Sequence, residues 1–204
     1  MTMVNARRIE KISHKLNAVV SVPGSKSIAN RALVCAALAS GESVISGVPD
    51  GNDTEAMIEG LISLGARIER TDNNVIFRTG IDLDRNDSIT LNARLAGTTA
   101  RFLTAVCGLV SGPTLITGEN SLLSRPMNDL HQALLSLGIG VEWMGEAGHL
   151  PVVIHRGVTT GSVVELPAAI SSQFTSALLL ISPVLPGGLS LSIVGEVVSQ
   201  PYID

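Results

Sequence analysis

Apolar residues recur with helical spacing in three blocks, and each block follows a short run of small, hydroxyl-bearing residues. Pro23-Gly24-Ser25-Lys26-Ser27 leads into the first, Ala96-Gly97-Thr98-Thr99-Ala100-Arg101 into the second and Ser171-Ser172-Gln173 into the third. Small polar residues ahead of an apolar-periodic segment predict a helix start. Its first N–H groups have no partner within the helix, so hydroxyls and a Lys or Arg beside them make a ready anion site.

The spacing ties these signals together. Arg31 and Arg101 stand 70 residues apart, each four residues after a small residue, Ser27 or Gly97. Each is therefore one turn inside its helix, on the side that an anion would face. After each helix comes a β-like run between glycines: Gly41 to Gly47, Gly112 to Gly118 and, more loosely, Gly188 to Gly195. The pattern predicts repeated units of about 70 residues.

A second element shares the period. Ile58 to Glu69 reads onto the segment ending at Glu142, with Leu61 over Leu134, Gly65 over Gly138 and Glu69 over Glu142. Each copy predicts a helix closed by a C′ glycine and followed by a strand. Asn52 and Glu55 predict a capping box for the first, and Pro126 the first helical position of the second, which puts Arg125 at a helix N-terminus. Further strands are predicted at Ala18 to Val22, Ser43 to Val48, Val75 to Phe77, Ser88 to Leu91, Val152 to His155 and Val163 to Leu166. One unit reads strand, helix, strand, helix, strand, strand. That is an α/β fold of repeated βαβαββ units, with mixed sheets around buried helices.

Composition constrains the core. The 204 residues are 45% apolar but only 2% aromatic, so Ala, Val, Ile and Leu must fill the interior and small-residue helices such as Ala32 to Ala39 should lie deep. The apolar run Ala177 to Val194 is broken by Pro183, Pro186, Gly187 and Gly188, short of the ~20 residues of a membrane span. Arg7, Arg8 and Lys11 precede no apolar core, so no signal peptide is read and the expected location is cytoplasmic. A net charge of −4, with no basic run interleaved with aromatics, argues against nucleic-acid binding. Cys35 and Cys107 read as buried thiols, and His14, His131, His149 and His155 lack metal-ligand spacing. Gly24-Ser25-Lys26-Ser27 is no nucleotide P-loop, because Ser25 separates Gly24 from Lys26 and position 19 is valine. What remains is an anion site of backbone amides, Ser25, Ser27 and Lys26, with no metal requirement.

The string Val22 to Leu33, with Ala96 to Arg101, Ser124-Arg125-Pro126-Met127, Ser171-Ser172-Gln173 and Ser199-Gln200-Pro201-Tyr202-Ile203-Asp204, resembles the 5-enolpyruvylshikimate-3-phosphate synthase family. Five motifs in order over nearly the whole chain carry the resemblance. It implies the enolpyruvyl transferase fold, and transfer of the enolpyruvyl group of phosphoenolpyruvate to the 5-hydroxyl of shikimate 3-phosphate without metal or organic cofactor. By the resemblance Lys26 touches both substrates, Ser27 and Arg31 hold the shikimate side, and Ser171, Ser172 and Ser199 take its 3-phosphate. Gln173 lies against the shikimate ring near phosphoenolpyruvate, and Tyr202 lines the same pocket. The Gly97 backbone and Arg125 bind phosphoenolpyruvate.

Arg101 has no firm ligand contact in the family pattern and reads as a helix-surface charge, with Asp53 as an N-terminal helix residue. Leu95 stands where many members have Asn, and Phe102 where Pro is common, a bulkier neighbour able to shift Gly97. Family enzymes are about twice this length. The resemblance therefore implies one domain of the usual two: residues 1–16 cross to the second domain, and residues 17–204 form the N-terminal substrate-binding domain with its third repeat incomplete. The acid/base groups are expected in the second domain, which lies in a parent protein or acts in trans. An inactive module that binds shikimate 3-phosphate, and a transferase acting on another anionic sugar, stay open as alternatives.

Overall fold

The computed structural model describes residues 8, 10–72, 74–157, 162–167 and 171–195. Among these residues, helices α1 (Lys26–Leu38), α2 (Asn52–Ser63), α3 (Gly97–Cys107), α4 (Asn120–Leu123), α5 (Asn128–Ser136) and α6 (Ser172–Ile181) are joined by nine short strands. α3 is central: Arg101 is its one residue that is not fully buried, and α1, α2 and α6 all pack against it. Small side chains allow this approach, and the buried Thr104 hydroxyl satisfies itself on the Ala100 carbonyl at 2.7 Å.

The second repeat is the complete one. β4 (Ile89–Asn92) runs parallel to β5 (Thr114–Thr117) with α3 as the crossover, and the hairpin of β6 (Gly140–Trp143) and β7 (Val152–His155) extends the sheet antiparallel, in the order β4-β5-β7-β6. In the first repeat β1 (Ser43–Ser46), β2 (Arg67–Arg70) and β3 (Asn74–Thr79) form the same antiparallel part, ordered β1-β3-β2. In the third, β8 (Ser162–Pro167) and β9 (Leu189–Val194) form a parallel pair across α6. The mixed sheets, repeated units and buried helices follow the sequence expectation.

Four local expectations do not hold. Ala18 to Val22 is no strand: Val19 is 100% exposed and no ladder includes the segment, because β propensity makes a strand only where a neighbouring backbone accepts its hydrogen bonds. The capping box at Asn52 and Glu55 is not formed. Gly51 is the N-cap, the Thr54 hydroxyl donates to the Pro49 carbonyl at 2.8 Å, and the Glu55 carboxylate is taken by Arg70. Pro126 precedes α5 rather than opening it, since Met127 is the N-cap, held by its own N–H on the Gly148 carbonyl. Cys35 is exposed while Cys107 is buried, because in α1 Leu33, Val34, Ala36 and Ala37 face inward and leave Cys35 on the outer side. Burial pushes the Cys107 thiol up to about 12.

The C′ glycines are as expected in both copies. Gly65 and Gly138 have φ of 102° and 81°. Each closes a paired-bond Schellman turn, Ala66 N–H on Leu61 and Gly65 N–H on Ile62, then Ile139 N–H on Leu134 and Gly138 N–H on Leu135. The repeat is thus kept down to individual hydrogen bonds.

Candidate functional site

The first turns of α1, α3 and α6 carry no acidic side chain. Their open N–H groups keep the positive end of each helix uncompensated. Ser25 caps α1 by accepting from the Ile28 N–H at 3.5 Å, and Ser171 caps α6 by accepting from the Gln173 N–H at 3.3 Å. Capping thus falls to Ser25 and Ser171, and leaves Ser27 and Ser172 inside the first turns. α3 has Ala96 at its N-cap and no side-chain cap.

Each cationic group is held by a specific neighbour. Arg31 Nη1 donates to the Ser27 carbonyl at 2.8 Å and Nη2 to the Ser176 hydroxyl at 2.6 Å, which ties α1 to α6. Its guanidinium lies 5.2 Å from the ring centre of Phe102. Phe102, read as a departure that could shift Gly97, is turned into the core as a platform for Arg31 and is 1% exposed. Lys26 Nζ pairs with Asp53 at 2.8 Å, a contact the sequence did not reveal. Behind this pair, Asn30 Nδ2 donates to Thr99 Oγ1 at 3.4 Å and Thr99 Oγ1 to the Asp53 carbonyl at 2.8 Å, linking α1, α3 and α2. Asn30 and Thr99 are wholly buried. A polar Asn within the apolar run of α1 was the available signal for this network.

Arg101 is not the solvated surface charge expected of it. Its guanidinium lies 5.0 Å from the ring centre of Phe174 and donates to Gln173 Oε1. Burial, and then the nearby Arg125 charge, hold it below the ordinary arginine range. Arg125 follows α4 and reaches the same point. A Cβ placed on Gly97 would stand 2.8 Å from Arg125 Nη1 and 3.2 Å from Arg101 Nη1. Two like charges therefore meet over the glycine at the open end of α3, and among the described residues neither is paired with a carboxylate. Arg101 is partly buried and Arg125 exposed, and two cations this close favour an anion that accepts from both.

The structure thus links Lys26, Ser27, Arg31, Gly97, Arg125, Ser171, Ser172 and Gln173 through the starts of α1, α3 and α6. Ser199 and Tyr202 lie outside the described residues. Among the described residues no group of three His, Cys, Asp or Glu side chains could hold a metal ion, and no helix is long and apolar enough to cross a membrane.

Repeated units of mixed sheet around buried helices make up the enolpyruvyl transferase fold. The transferase NikO from Streptomyces tendae shares the fold, with a TM-score of 0.59 over 85% of this chain at 16% identity. The chain belongs to the EPSP synthase (3-phosphoshikimate 1-carboxyvinyltransferase) family, whose profile matches residues 10–204. The 3-phosphoshikimate 1-carboxyvinyltransferase of Shewanella amazonensis is 38% identical over 97% of this chain and 46% of its own length. That of Laribacter hongkongensis is 40% identical over 93% and 45%. The EPSP synthase from Acinetobacter baumannii aligns with a TM-score of 0.77 at 26% identity, over 90% of this chain and 42% of the other. The chain spans about half the length of the curated relatives it matches.

Proposed function

We propose that this chain supplies the N-terminal half of an enolpyruvyl transfer site, with most of the shikimate 3-phosphate contacts and part of those to phosphoenolpyruvate. The observation that carries the reading is the meeting of Arg101 and Arg125 over Gly97 at the uncapped start of α3, a cationic point with no internal counter-ion among the described residues. In the reaction the substrate 5-hydroxyl gives up its proton as its oxygen adds to C2 of phosphoenolpyruvate and a proton adds to C3, and the tetrahedral adduct then loses inorganic phosphate from C2 and a proton from C3. Two substrates with four anionic groups need fixed donors throughout. Each charged hydrogen bond contributes about 1.5–3 kcal/mol.

Lys26, Ser27 and Arg31 face shikimate 3-phosphate, with Ser171, Ser172 and Ser199 on its phosphate and Gln173 and Tyr202 against its ring. Gly97, Arg125, Lys26 and Gln173 face phosphoenolpyruvate. The acid/base groups and the remaining cations belong to a second domain, in a parent chain or in trans. Residues 17–204 form the substrate-binding domain, and residues 1–16 cross to that partner.

Calorimetric titration with shikimate 3-phosphate tests this reading. Saturable binding is expected, and Arg125→Ala should weaken phosphoenolpyruvate binding or use, with the complementary half added, more than shikimate 3-phosphate binding. A folded chain that takes up no shikimate 3-phosphate, alone or with that half, would overturn the reading.

A further inference from the structure

Arg101 is held on two sides by the first turn of α6. The Phe174 ring lies beneath its guanidinium, and the side-chain oxygen of the preceding residue, Gln173, accepts its Nη1–H. Gln173 is held in turn at its backbone, where its N–H donates to Ser171 Oγ at 3.3 Å. A guanidinium has donors only, so the end of the amide that faces Arg101 must be the oxygen. That choice leaves the NH2 group on the other side, where it makes no hydrogen bond among the described residues.

We propose that Arg101 is a positioning residue for Gln173: it fixes the amide with its oxygen inward and its NH2 toward the ligand, making Gln173 an obligate hydrogen-bond donor. The inference rests on the reading of Gln173 as a ligand contact. Free rotation would let an amide present either end, and the oxygen end repels an anion. With Arg101 on the oxygen, the NH2 is also more strongly polarised, since linked hydrogen bonds reinforce one another. Arg125 comes close to the same glycine, but among the described residues it makes no hydrogen bond to Gln173 that could replace Arg101 in this role. Phe174 supplies the surface against which the guanidinium rests.

The test uses the chain itself with Arg101→Met, Arg101→Lys and Gln173→Glu. The 15N-resolved side-chain NH2 pair of Gln173 reports the amide without ligand. It is expected at a distinct position in the wild type, to move toward free-amide values in Arg101→Met, and to lie between in Arg101→Lys. Shikimate 3-phosphate affinity should fall about tenfold in Arg101→Met, the worth of one good hydrogen bond, with partial recovery in Arg101→Lys. Gln173→Glu should keep the fold, because the carboxylate pairs with Arg101, yet bind less ligand than Arg101→Met, because it has no donor to offer. An unmoved NH2 pair in Arg101→Met overturns the proposal, and so does unchanged affinity while the wild type binds. If Arg101→Met does not fold, Arg101→Lys decides by the same two readouts. Failure of the wild type to bind would count against the ligand reading alone, since the NH2 signal judges the Arg101 contact independently.

Discussion

The starts of α1 and α3 come from the same repeated signal and are finished in opposite ways. At α1, Ser25 caps the helix, Lys26 is neutralised by Asp53, and a Cβ on Gly24 would meet the backbone oxygen of Gly47 at 2.3 Å. At α3, Ala96 provides no cap, no carboxylate among the described residues pairs with Arg101 or Arg125, and the atoms nearest a Cβ on Gly97 are the tips of those two side chains. One start is satisfied within the chain and the other is left open. A shared skeleton thus yields one terminus with internal partners and one whose cations have no internal counter-ion among the described residues.

The two repeats also diverge at a buried position one turn before the aligned leucines. Ile58 occupies it in the first repeat and His131 in the second, both inside the core. The Trp143 indole N–H donates to His131 Nδ1 at 3.0 Å, so the proton sits on Nε2, which is buried without a partner. Burial, helped by the His149 charge, pushes the imidazolium down from 6.5 to about 4. The unfolded chain therefore takes up a proton first as the pH falls. Stability should be full above pH 6.5, decline from there to about 4 and level off below, a loss of about 3 kcal/mol. Urea melts followed by the fluorescence of Trp143, the single tryptophan, measure it. His131→Ile copies the first repeat and should remove this component of the pH dependence. A pH profile unchanged by that substitution would place the acid-sensitive group elsewhere.

A smaller effect distinguishes the two glycines. Gly24→Ala forces the backbone away from Gly47 and should cost about 1–3 kcal/mol in a urea melt. Gly97→Ala displaces two flexible guanidiniums and removes a helical glycine, so its stability should stay within about 0.5 kcal/mol of the parent. Its cost should appear instead as weaker phosphoenolpyruvate binding or use, with the complementary half added. Equal destabilisation by both substitutions would show that the start of α3 is as much a structural joint as the start of α1.

Much of this contrast was legible in the sequence because local physics fixed it. The turn glycines Gly65 and Gly138, the hydroxyl runs before three helices and the period linking Arg31 to Arg101 all act within a few residues of themselves. What was hidden depends on packing between elements. Cys35 and Cys107 lie in similar apolar runs, yet only the helix phase against α2 and α3 decides which thiol is covered. Ala18 to Val22 is valine-rich like a strand but has no pairing neighbour among the described residues. Arg101 and Phe102 read as a surface charge and an intruding bulk until α6 brings Gln173 and Phe174 to one and α1 brings Arg31 to the other. The Lys26–Asp53 pair joins two helices whose starts are 26 residues apart by numbering, and no local spacing announces it.

That pair gives the finest test of whether the start of α1 is finished internally. Its side chains are 55% and 24% exposed, so solvent screening keeps its contribution to about 1 kcal/mol or less. Asp53→Asn should lower stability by no more than that, including the loss of a negative charge from the first turn of α2. If Asp53 competes with a bound phosphate for Lys26, the same substitution should tighten shikimate 3-phosphate binding by roughly two- to fivefold, most clearly at low salt. Weaker binding would mean that Asp53 aims Lys26 at the ligand rather than withholding it. The starts of α1 and α3 would then differ only in where their orienting partner sits, a carboxylate on α2 for Lys26 and an amide on α6 for Arg101.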